Sequence, residues 1–130
     1  MPKRQQRWKD EPDEHDYPAA ADYLSLVLPE KITARAVKRL RSAPIMHRKA
    51  KDLLRASSLP VLPAENVHVA KDLAKIQKLE KLSPVLLVRG DVRAGRPLLI
   101  ADGYHRICAS YHVDEDDDIP CRVVDLPEAR

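Results

Sequence analysis

Five consecutive residues, Asp102-Gly103-Tyr104-His105-Arg106, form the densest set of chemically able groups in the chain. A carboxylate, a phenol, an imidazole and a guanidinium meet there around one glycine. Arginine presents forked donors that match phosphate oxygens. Histidine donates a hydrogen bond or moves a proton near neutral pH. A carboxylate beside phosphates can hold Mg2+ or orient a hydroxyl. The combination suits phosphate binding. Asp102 and His105 are the candidate catalytic residues, and Asp102 is the candidate metal ligand.

The flanking elements must position this set. Leu98-Leu99-Ile100-Ala101 reads as a buried strand ending in Asp-Gly. A short helix over 104–112 follows at once, with Tyr104, Ile107 and Cys108 inward. Such a junction leaves backbone N–H groups free, and the helix dipole favours an anion there. Gly103 lets the chain turn tightly and a ligand approach. His105 and Arg106 fall in the first turn, where positive charge disfavours the helix; a bound anion would relieve this. The same residues admit a plainer arrangement, with Asp102 capping the helix and His105 and Arg106 solvated.

Periodicity predicts the other elements. A helix from residue 18, with Asp16 as cap, presents Tyr23, Leu24, Val27 and Leu28. A second covers 30–42, with Ile32, Thr33, Ala36, Val37 and Leu40 inward. A third covers 47–56, with Ala50, Leu53 and Leu54 inward. Prolines keep 59–63 extended. Asn66 caps a helix ending near residue 79 and burying Val69, Leu73 and Ile76. His68, Lys71 and Lys75 share one face of it. Residues 85–88 form a strand apolar throughout and so buried on both faces. A turn at 90–95, an acidic loop at 114–118 and a last strand over 119–124 complete the order.

Composition bounds the partners. The 130 residues suit one domain over 15–130, behind a flexible polar arm over 1–14. A net charge of +3 permits nucleic acid without demanding it. The basic run Arg35, Lys38, Arg39, Arg41, Arg48, Lys49, Lys51 and Arg55 reads as a solvated face or as a nucleic-acid surface. Cys108 and Cys121 make no metal-type pair, which suits a reduced cytoplasmic setting. No signal-type or membrane-spanning apolar run is present. His15 beside Asp16 has ligand chemistry but no second histidine near it in sequence.

The segment over 67–124 resembles the ParB/sulfiredoxin superfamily. Leu79-Glu80-Lys81-Leu82-Ser83-Pro84-Val85-Leu86-Leu87-Val88 is similar to the helix-to-strand box of ParB N-terminal domains. Ile100 through Ala109 looks like the next box, which reads Gly-Glu-Arg-Arg in ParB and Gly-Gly-Cys-His-Arg in sulfiredoxins. Ile119-Pro120-Cys121-Arg122-Val123-Val124 is similar to the closing Ile-Pro strand of both. The resemblance implies an α/β (α+β) fold: a small mixed sheet with flanking helices, here with an added helical N-terminal half. It implies a nucleotide ligand (ATP, ADP or CTP, with Mg2+) whose phosphates meet Gly103, Tyr104, His105 and Arg106, and also His68, Lys71 and Lys75. The acid-Gly-X-His-Arg form resembles the superfamily's free-amino-acid kinases, so nucleotide hydrolysis or small-molecule phosphoryl transfer is one expectation. A nucleic-acid-associated module or a non-catalytic interaction domain is the alternative. Tyr104 stands where sulfiredoxins carry their nucleophilic cysteine, so sulfinic acid reduction is not expected. The helix-turn-helix that follows this region in ParB proteins has no counterpart before Arg130. An Arg106 locked into an internal ion pair, with no open concavity beside it, would contradict the phosphate reading.

Overall fold

Four strands build the sheet, three of them apolar runs and the first, over 45–49, half basic, and the computed structural model describes residues 7–127. In chain order the elements are α1 (Asp16–Leu24), α2 (Glu30–Ser42), β1 (Ile45–Lys49), α3 (Ala50–Ser57), α4 (Val67–Gln77), β2 (Val85–Val88), β3 (Leu99–Asp102), α5 (Tyr104–Val113) and β4 (Asp118–Val124). The strands lie in the order β1-β4-β2-β3. β4 runs antiparallel to β1, with Met46 opposite Cys121, and parallel to β2, with Leu86 opposite Arg122. β2 pairs antiparallel with β3 across a register shift between Leu86 and Leu87. A parallel pair needs a long crossover; β3 and α5 supply the one between β2 and β4.

Alternation along β2 splits the interior into two layers. Val85 and Leu87 face a core shared with Leu53 of α3, Val69 of α4 and Ile107 of α5. Leu86 and Val88 face a second core shared with Ala20 and Leu24 of α1 and Leu40 of α2. The sheet is thus covered on both sides, and all four residues of β2 are buried. The α+β class expected from the sequence is what the chain adopts.

Three expectations are corrected. Residues 45–49 are strand, and the helix expected over 47–56 starts only at Ala50. Pairing with distant β4 overrides the local helical pattern. α1 begins at Asp16, which is buried in its first turn rather than capping it, and buries Tyr17, Ala20 and Leu24. Of the expected apolar face over 23–28, Leu24 and Leu28 pack on the second core, while Tyr23 and Val27 are 39% and 49% exposed.

The expected arm over 1–14 is bound to the domain from Arg7 onward. Trp8 is 5% exposed within the first core. Lys9 N donates to Leu82 O and Leu82 N donates to Arg7 O, each at 2.8 Å. Arg7 pairs at 3.2 Å with Asp117, which also accepts from Ser110 Oγ at 2.6 Å. Lys3 and Arg4, the start of that arm, lie outside the described residues. Among the described residues no helix is long and apolar enough to cross a membrane.

Trp8→Ala removes a large buried side chain and should destabilise the fold by about 3 kcal/mol. Urea denaturation followed by circular dichroism checks this. A change below about 0.5 kcal/mol, the scale of surface substitutions, would show that the 7–14 segment does not belong to the folded unit.

Candidate functional site

α4 and the start of α5 meet at one cavity because each presents a polar face over an apolar one. Asn66 fixes the first turn of α4, its side chain accepting from His68 N at 3.0 Å and Val69 N at 3.2 Å. With Val69 buried and Leu73 and Ile76 packed on the first core, His68, Lys71, Asp72 and Lys75 are left to line the cavity. Gly103, His105 and Arg106 line it from α5, and Asp102 from β3. Lys9, Asp13 and His15 close it from the N-terminal segment, with Lys81 and Ser83 beside them. The volume is about 260 Å³. The His68 and His105 rings approach to 4.8 Å between centroids, tilted by 47°.

Gly103 has φ +115°, a left-handed conformation that disfavours side chains. A Cβ there would lie 2.4 Å from Val85 Cγ1 and 2.9 Å from an Arg106 terminal nitrogen. The glycine is therefore required by close packing of the β3–α5 turn on β2. The tight turn expected at this glycine is present, and the close approach is made by Val85 and Arg106. No side chain caps α5, so Asp102 is not the cap either.

Arg106 is engaged inside the protein. Its Nη2 lies 2.8 Å from Asp102 Oδ2, 3.9 Å from Asp16 Oδ2 and 3.4 Å from Pro84 O. Its Nε is buried without a hydrogen-bond partner. Arg106 thus serves first as the counter-charge of two carboxylates, where the sequence reading made it a free phosphate fork. Asp102, expected to hold a metal or orient the acceptor hydroxyl, has its carboxylate committed to that pair. The concavity beside the pair stays open, so only half of the contradicting condition is met. Tyr104, expected to touch the ligand, lies outside the cavity lining; its hydroxyl donates to Pro60 O at 2.6 Å.

Five cationic side chains (Lys9, Lys71, Lys75, Lys81 and Arg106) face three carboxylates (Asp13, Asp72 and Asp102) in this lining. Burial raises the Asp102 carboxyl above its ordinary range; Arg106 opposes this and Asp16 adds to it. Burial likewise raises Asp72, against the pull of Arg106, Lys75 and both histidines. Burial and the neighbouring His68 push His105 below the usual imidazole range, with Asp72 opposing and Arg106 adding. His105 is therefore held neutral at pH 7. A hydrogen bond from Lys9 holds Asp13 low.

One set of metal-type side chains occurs among the described residues: Asp13, His15 and Asp16, with ligand atoms all within 4.8 Å of one another. Cys108 and Cys121 are free and buried; burial raises both thiols, Cys121 to about 11. Neither has nucleophile character. The basic run is divided among α2, β1 and α3, and Arg41, Lys49, Lys51 and Arg55 each hold a carboxylate partner.

Asp72, Lys9, Asp13 and Lys81 were missed by sequence reasoning. Asp72 follows His68 by one turn, so extending the 68-71-75 face would have found it. Lys9 and Asp13 come into range only because Trp8 seats the N-terminal segment. Comparison of the chain with protein-family models, with curated proteins and with solved structures finds no match.

Gly103→Ala should cost about 2 kcal/mol or more, from the left-handed backbone and from overpacking. In a Val85→Ala background the overlap with Val85 Cγ1 should disappear while the Val85 Cβ and Arg106 contacts at 2.8 and 2.9 Å remain, giving a coupling of about 1 kcal/mol in a double-mutant urea cycle. Strict additivity would show that contact with Val85 does not set the glycine.

Proposed function

We propose that the chain is a phosphate-binding domain of nucleotide-binding type, acting in a cytoplasmic setting. One observation carries the reading: lysine side chains from three separate segments converge on a cavity at the uncapped N-terminus of α5. First-turn amides and the helix dipole favour an anion there. The resemblance to the ParB/sulfiredoxin superfamily at the β3–α5 turn supports the same ligand class.

The roles follow from the geometry. Lys71 and Lys75, with Lys9 and Lys81, neutralise phosphate charge. His68 and His105 hydrogen-bond its oxygens. Arg106 holds Asp102 and Asp16 and so fixes the turn that presents the amides. Mg2+ is commonly held by one or two carboxylates plus substrate phosphates. Asp13 lines the cavity and belongs, with His15 and Asp16, to the one set of metal-type side chains among the described residues, so it is the carboxylate that fits this role. Phosphoryl transfer is the catalytic extension of this reading, because a neutral His105 beside the phosphate site is a competent proton acceptor. Nucleotide hydrolysis that stops in folded His105→Ala would establish it; no hydrolysis by the wild type would leave a binding domain.

Titration calorimetry with ATP, ADP and CTP, with and without Mg2+, tests the binding claim. Lys71→Ala and Lys75→Ala should each weaken the bound nucleotide about tenfold, the scale of one charge-assisted hydrogen bond. Unchanged affinity in both would contradict the site.

Proton linkage offers a second check. The depressed His105 is neutral at pH 7 and takes up its proton only as pH falls below the ordinary imidazole range. An anion seated against it favours the protonated form, so binding consumes a proton and strengthens as pH falls. Sulfate, whose charge is constant there, should bind several-fold more tightly at about pH 5.5 than at about 7.5. Asp72, also raised, adds to the effect at the acid end. His105→Asn should flatten the profile; a sulfate affinity independent of pH in the wild type would exclude the imidazole from the site.

A further inference from the structure

We propose that this cavity recognises a phosphoanhydride chain itself, the diphosphate unit, and does not read a nucleobase. The proposal rests on the phosphate-binding reading and narrows its ligand class.

Size points first to this. Pockets that bury a whole drug-sized ligand occupy about 300–1,000 Å³. The cavity here is about 260 Å³, so a nucleoside attached to a bound diphosphate is left outside it. The walls agree. Base recognition uses apolar and aromatic platforms on which the ring stacks. Among the described residues Leu82 is the one aliphatic side chain in the lining, and no Trp or Tyr belongs to it. Trp8 and Tyr17 are spent in the two cores, and Tyr104 is tied to Pro60. Among the described residues the only rings in the lining are three histidines: His68 and His105 are in mutual contact at 4.8 Å and tilted, which leaves no slot for a base between them, and His15 is exposed at the rim, turned to Asp16 at 3.4 Å.

Charge selects the chain over a single phosphate. Among the described residues of the lining five cations exceed three carboxylates, and three imidazoles stand beside them. The lysines stand on separate segments: Lys71 and Lys75 on α4, Lys9 on the N-terminal segment and Lys81 before β2. A linear anion with charge on two phosphorus centres engages more of them than one compact tetrahedron does. Sugar and base then contribute little, because they meet solvent.

Titration calorimetry on the full chain at fixed ionic strength, with orthophosphate, inorganic diphosphate, ADP and CDP, tests this. Diphosphate, ADP and CDP should bind within about threefold of one another, and orthophosphate at least tenfold more weakly. Lys75→Ala should weaken the first three by one common factor, while Lys38→Ala, at an exposed position outside the lining on α2, should leave them unchanged. If ADP or CDP binds tenfold or more tightly than diphosphate, the base or sugar is read and this inference fails, while the phosphate site stands. Orthophosphate binding as well as diphosphate also overturns it. If none of the four binds, the phosphate-binding reading itself fails.

Discussion

The Arg106 guanidinium, shared between Asp102 and Asp16, is the interaction on which the rest of the site depends. It ties the first turn of α5 to the end of β3 and to the first turn of α1. All three side chains are largely withdrawn from water. Removing one partner of such a buried set strands the other charges, at a cost of about 3–5 kcal/mol. The close approach of Arg106 is also part of why residue 103 has no room for a side chain. With the arginine so engaged, the open positive charge of the cavity comes from lysines.

The same arrangement sets the protonation of its surroundings. Burial raises the carboxyls of Asp102 and Asp72 above the ordinary range, and the nearby arginine works against that. For His105, burial, His68 and Arg106 all act in one direction, towards the neutral ring. A cavity rich in fixed lysine charge therefore contains a proton acceptor rather than one more fixed cation. That difference separates a site able to respond to the protonation of its ligand from a passive basic patch.

What the sequence made legible follows the range of the forces involved. α2, the Asn66 cap, β2 and the β3–α5 junction rest on local periodicity, capping and punctuation, and each is visible within a dozen residues. The polar face of α4 was visible for the same reason. β1 was hidden because its partner, β4, is far along the chain and its own residues look helical. The N-terminal segment was hidden because one tryptophan seats it, and a single side chain makes no pattern. Arg106 was recognised as a phosphate ligand from its type and place. Its carboxylate partner Asp16 lies in a helix whose packing on β3 no local signal shows, and so its structural role was not visible.

The central claim is that an anion sits at the start of α5 beside the paired histidines, His68 and His105. Titration of 15N-labelled protein with inorganic diphosphate, read by amide and imidazole resonances, tests it most directly. The amides of Tyr104, His105 and Arg106 and the rings of His68 and His105 should shift together along one saturable curve. Shifts confined to the basic residues of α2, β1 and α3, or none at all, would contradict it.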